Sequence, residues 1–171
     1  MEKAVIRIIG IDPGLRTMGW AVIEASGTQI AYVASGAVRS NERKALAERL
    51  RELHEGLGAI IREHGPTEAA VEETFVNRDP QSALKLGQAR GIALVVPALA
   101  GLKVAEYAAN LIKKTVTGFG HAEKAQIAMM VKTLLPGSGA QGGDAADALA
   151  AAITHARLRL WERNLESAVK F

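Results

Sequence analysis

The sequence predicts an α/β domain built on a mixed five-stranded sheet with helices on its faces, and three observations carry that prediction. The run Ile6-Arg7-Ile8-Ile9-Gly10-Ile11-Asp12-Pro13-Gly14 places four isoleucines in six positions, the pattern of a strand buried on both faces, and Pro-Gly then stops it. Two further strand-like segments follow, Thr17 to Ala25 and Gln29 to Val38, joined by the short connection Ser26-Gly27-Thr28, so the first three strands run up and down. Beyond them the chain alternates helix and strand, which builds parallel pairs.

Each later element has its own signal. Asn41 is the expected N-cap of an amphipathic helix in which Leu46, Leu50, Leu53, Leu57, Ile60 and Ile61 share a face, and Gly65-Pro66 closes it. Glu68 to Phe75 reads as a fourth strand, returning parallel to the first and bringing Glu72 beside its end. Asp79-Pro80 caps a helix from Gln81 to about Ala100 that is apolar nearly all round in its second half, as in a helix covered by the core or by a partner. Leu102 to Tyr107 is a short fifth strand, and the Ala108 to Lys114 segment leads into Thr117-Gly118-Phe119-Gly120. A helix from about His121 to Leu135, a mobile glycine-rich loop over 136–143 and a helix from Asp144 to about Arg163 complete the chain. This order of elements resembles that of the ribonuclease H-like fold.

Composition bounds the chemistry. With 171 residues, 49% of them hydrophobic, the chain can bury roughly 70% of its unfolded surface, as expected of a single domain spanning 1–171. Nothing near Met1 reads as a signal peptide or a membrane span, so a soluble, cytoplasmic protein is expected. The absence of cysteine excludes disulfides, thiolate zinc sites and thiol nucleophiles, and leaves oxygen or imidazole as metal ligands. The net charge of +3 is compatible with a polyanionic partner without requiring one.

The carboxylates are informative as a set. Asp12 ends a buried strand, where it either closes a type II turn with Pro13 and Gly14 or faces a site beyond the sheet edge. Asp144 and Asp147 are three residues apart and share a helix face; alone they read as an N-cap and a first-turn acid. The rest of that helix is nearly bare alanine, from Ala145 to Ala152, which lets its backbone approach a sheet and carries both aspartates toward Asp12 and Glu72. Four carboxylates this close repel by about 4 kcal/mol per pair at an effective dielectric of about 20 and need a cation. Hard oxygen ligands select Mg2+ or Mn2+, and two ions about 3.5–4 Å apart suit phosphodiester hydrolysis.

Five motifs in register make a resemblance specific: Gly10-Ile11-Asp12-Pro13-Gly14, Val71-Glu72-Glu73-Thr74-Phe75, the block Ser82 to Gly91, Ala122-Glu123-Lys124, and Asp144-Ala145-Ala146-Asp147-Ala148-Leu149-Ala150. Together they resemble the RuvC family of Holliday-junction resolvases over nearly the whole chain. The resemblance implies a homodimer of ribonuclease H-like subunits that nicks two strands of like polarity in a four-way DNA junction. The implied cofactor is Mg2+, with Mn2+ able to substitute. The implied setting is recombination and DNA repair, beside the branch-migration helicase proteins of a resolvasome. It maps the family's catalytic and metal-binding acids onto Asp12, Glu72, Asp144 and Asp147.

Lys113, Lys114 and Lys124 flank a glycine loop, and Lys124, in the first turn of the helix that follows, opposes its dipole, which favours phosphate contact over a purely stabilising role. In the family, lysines matching Lys113 and Lys124 contact DNA; Phe75 reads by itself as a core aromatic, but the family's matching aromatic sits near the junction centre and can stack on an unpaired base, an interaction worth about 1–3 kcal/mol. Arg78, Lys85 and Arg90 are further basic candidates. His155 reads as structural, with an outer-shell role as the alternative, and Trp20 and Trp161 read as packing. A ribonuclease H-like nuclease of ribosomal RNA shares the opening turn but not the Asp-x-x-Asp helix. A non-catalytic junction binder has no reason to assemble four acids. An actin-like kinase needs a second domain for which this chain is too short.

Overall fold

The computed structural model describes residues 4–74, 79–139 and 143–168, with side chains described to residue 162. Strands β1 (Ile6–Asp12), β2 (Thr17–Ser26) and β3 (Gln29–Arg39) form the expected antiparallel meander, turning at Gly27, whose φ of 59° suits a tight hairpin. Helix α1 (Leu46–His64) then returns the chain to β4 (Glu68–Glu73), parallel to β1. Helix α2 (Pro80–Leu99) leads to β5 (Lys103–Ala108), parallel to β4. The sheet order is β3-β2-β1-β4-β5. Helices α3 (Ala109–Thr117), α4 (Lys124–Leu134) and α5 (Gly143–Ala168) follow.

Alternation along β1 divides the core. Ile8 faces a layer made by α3, α4 and α5, while Ile9 and Ile11 face α1 and α2 through Leu53, Leu57, Ala89 and Ala93. Glycine opens the first layer to α5. A Cβ on Gly10 would stand 2.0 Å from the carbonyl oxygen of Ala148, so only a residue without one lets the helix lie this close. On the helix side, Ala148, Ala150, Ala151 and Ala152 are fully buried.

The structure corrects several local expectations. Asn41 does not cap α1: its side chain accepts from the Arg43 N–H and its own N–H donates to Glu52, making a turn, and the helix begins only after Ala45. Gly14 is not in the left-handed region a type II turn requires there; instead a Cβ would stand 2.1 Å from the Thr17 carbonyl oxygen. Asp144 lies inside the first turn of α5 rather than at its N-cap. Pro136–Ser138 is a 3-10 turn with Ser138 buried, not mobile loop. Trp161 is 62% exposed rather than packed.

Candidate active site

The parallel pairing of β1 and β4 aligns Ile11 with Val71; one further step sets Asp12 level with Glu72 at the same end of the sheet. Helix α5 crosses that end with Asp144 in its first turn and Asp147 three residues on. Asp12, Glu72 and Asp147 line one cavity of about 240 Å³, and Lys113 from α3 and Lys124 from the first residue of α4 line it too. A larger depression of about 730 Å³ lies at the opposite end of the sheet, beside the β2–β3 turn, with Glu24 its only carboxylate among the described residues. Chemistry, not size, picks the site.

The carboxylates feel one another. Burial, followed by the charges of Glu72, Asp147 and Asp144, pushes the Asp12 carboxyl up to about 8. Glu72 is pushed up to about 7 by burial and by Asp147, against the opposing pull of Lys124 and Lys113. Burial also raises Asp147 although Lys124 Nζ lies 3.4 Å from its Oδ2, and the Lys124 ammonium is raised in return, chiefly by Asp147. Asp144 stays on the exposed rim and acts on this cluster by its charge.

Among the described residues, no three His, Asp or Glu side chains stand as a preformed cage for a metal ion. The donor chemistry nonetheless fits a hard divalent cation: oxygen ligands only, from separate chain segments, in a cluster where burial and then mutual repulsion raise two carboxyls.

Of the basic candidates, Lys113 and Lys124 meet the acids, while Lys114 is exposed and does not line the cavity. Arg90 is paired with Glu106, though it lines a second groove that Asp12 and Glu72 share. Phe75 and Arg78 lie outside the described residues. His155 is structural: it is buried between Tyr107 Oη and Glu68 Oε2, each 2.7 Å from a ring nitrogen, and Arg159 Nε donates to the other Glu68 oxygen at 2.8 Å. Sequence reasoning missed that α3 is a helix, and so missed what carries Lys113 to the acids. It also missed Arg16, Arg39 and Arg43, which line a basic pocket at the same sheet end.

A sheet of this order, with acids from β1, β4 and the last helix gathered at one end, defines a ribonuclease H-like nuclease. Residues 8–155 match the family model described as crossover junction endodeoxyribonuclease RuvC. The chain is 71% identical over 167 residues to the enzyme of that name from Methylocella silvestris, covering 98% of this chain and 95% of the relative. Against the Azorhizobium caulinodans enzyme of the same name the identity is 60%, over 93% of this chain and 94% of that one. Among solved structures, Thermus thermophilus RuvC in complex with a Holliday junction substrate superposes with a TM-score of 0.84 at 31% identity, covering 92% of this chain and 96% of the other. The chain belongs to the RuvC family of crossover junction endodeoxyribonucleases.

Proposed function

We propose that Asp12, Glu72, Asp144 and Asp147 are the catalytic, metal-binding acids with which this endonuclease resolves four-way DNA junctions. The observation that carries the reading is the convergence of carboxylates from β1, β4 and α5, with Lys113 and Lys124, at one cavity. Nucleases of this class are metal-dependent, and the four acids would hold Mg2+, or Mn2+ in its place, as two ions. When bound, the ions would activate the attacking water and offset charge on the leaving oxygen. Lys113 and Lys124 would draw the scissile phosphate into an otherwise anionic site.

The Thermus thermophilus enzyme takes a Holliday junction as substrate in its complex, and the likeness of this chain to that enzyme supports the same substrate here. A junction has a two-fold axis, so a symmetric homodimer places two copies of the site on strands of like polarity. The exposed stripe of Leu84, Val95 and Leu99 on α2 supplies an apolar contact surface for that dimer. Branch-migration helicases are the expected partners, and a single nuclease domain acting in the cytoplasm is the proposed setting. No described helix is long and apolar enough to cross a membrane.

The test is cleavage of a labelled four-way DNA junction, a DNA duplex and an RNA hairpin, with and without magnesium. Paired nicks in the junction alone, only with the ion, are expected. Cleavage of the RNA hairpin in preference would favour the ribosomal RNA reading, and tight junction binding with no cleavage would favour a non-catalytic binder.

A further inference from the structure

Beyond the acid cluster, the same end of the sheet carries a pocket of about 690 Å³ lined by Arg16, Arg39 and Arg43 together with Ser40, Asn41 and Glu42. It is a built feature. The buried Ser40 donates through its backbone N–H to Arg16 O at 3.1 Å and through its hydroxyl to Leu15 O, while Arg49 Nε donates to the Ser40 hydroxyl oxygen at 3.0 Å. The Asn41 turn, itself held by Glu52, fixes the backbone that presents Arg43. Arg16 pairs with Glu42 at 2.8 Å, but Arg39 and Arg43 make no ion pair among the described residues and both are exposed. Two cations held on a pinned frame with no anionic partner form a site for an anion.

The sheet gives its position relative to the acids. Thr17 pairs with Arg39 and Gly19 with Asp12, so Arg39 lies two strands from Asp12 and two residues further out. That is about 10 Å sideways and about 7 Å beyond the acids. At about 3.4 Å of rise per nucleotide, the sideways span is about three nucleotides of duplex.

We propose that Arg39 and Arg43, beside the Arg16–Glu42 pair, form a phosphodiester subsite that holds the junction arm flanking the incision, about three nucleotides from the scissile phosphate. The inference rests on the acid cluster being the incision site. The subsite then lies on the β3 side of the acids, whose own cavity Lys113 and Lys124 line, so the strand is held at the bond to be cut and again beyond it.

The experiment measures junction binding by fluorescence anisotropy over a salt series in metal-free buffer, for the parent, Arg39→Ala/Arg43→Ala and Arg39→Lys/Arg43→Lys. The alanine pair is expected to bind about tenfold more weakly, with the salt slope reduced by about 2, and the lysine pair to keep the parental slope. A junction carrying neutral methylphosphonates about two to four nucleotides from the incision is expected to weaken the parent to the level of the alanine pair and to cost that pair nothing more. A parental slope in the alanine pair, or an equal further loss on the neutral backbone, overturns the subsite while junction cleavage by the parent leaves the acid-site reading standing. A parent that neither binds nor cuts junctions overturns both.

Discussion

A Cβ on Gly19 would stand 2.1 Å from the carbonyl oxygen of Asp144, so the first turn of α5 rests directly on β2. Gly10 makes the same allowance beside Ala148. The two glycines therefore set the height of α5 over the sheet, and with it the reach of Asp144 and Asp147 toward Asp12. Gly10→Ala and Gly19→Ala are each expected to destabilise the fold by about 1–3 kcal/mol through overpacking. Gly19→Ala should also slow single-turnover cleavage by about 100-fold while junction binding holds, since a shift of about 1 Å suffices for that loss. Denaturant unfolding and single-turnover kinetics check this; parental stability and rate in Gly19→Ala would contradict it.

Much of this was legible in the sequence, for reasons that differ by element. The isoleucine run of β1 and the heptad-like leucines of α1 are strong periodic signals, and the alanines of α5 announced a close approach. The matching glycines on β1 and β2 gave no such signal, because their role depends on a helix more than a hundred residues away. Helix α3 was missed because Thr115, Val116 and Thr117 favour strands, whereas in the structure Thr115 and Thr117 return their hydroxyls to the carbonyls of Leu111 and Lys113. Asn41 is a strong cap by type, yet tertiary contact with Glu52 diverts it into a turn. The four acids could be read only as a set, because Asp12, Asp144 and Asp147 each had a local alternative.

Lys113 and Lys124 line the acid cavity from two helices, and their charges partly offset the rise that burial and Asp147 impose on the Glu72 carboxyl. Lys113→Ala and Lys124→Ala should each weaken binding across junction sequences and reduce the salt slope by about 1. Lys114→Ala, outside the cavity, should change the slope less. Binding isotherms at several salt concentrations decide; an unchanged slope in the first two would return them to ordinary surface.

Burial opposes ionisation of Glu68, but hydrogen bonds from His155 and Arg159 outweigh it and hold its carboxyl below the usual range. Burial lowers His155 despite Glu68, so the ring is neutral and its Nε2–H can donate to Glu68 while Nδ1 accepts from Tyr107. In both cases the unfolded chain binds the proton more readily. This stability is therefore present above the ordinary histidine pKa of 6.5 and is lost as pH falls through that value and then through the carboxylate range. The raised Asp12 and Glu72 titrate with the opposite sign, so the comparison is between parent and Glu68→Gln. Because Glu68 favours the protonated ring, the melting-temperature gap between them should hold or widen as pH falls through 6.5, and narrow only below the ordinary glutamate value of 4.5, where Glu68 itself takes up a proton; a gap that stays constant below pH 4.5 would remove the network from acid sensitivity.

The proposed dimer makes a separate demand on α2. Leu84 is 66% exposed and Leu99 75%, on one stripe of the helix. Leu84→Glu and Leu99→Glu should sediment as monomers, melt near the parental temperature and lose paired incision. A plasmid cruciform reports the last point: paired nicks within one complex give linear product, single nicks give open circle. Linear product from a monomeric variant would contradict the paired-site arrangement.

The acid cluster itself is tested most directly by Asp12→Asn on a labelled four-way junction in magnesium. The substitution keeps the shape of the side chain and removes one metal ligand and one charge from the cluster. The account predicts junction binding equal to or tighter than the parent's, with no incision above background even at enzyme excess. Incision by Asp12→Asn at a rate near the parent's would contradict it.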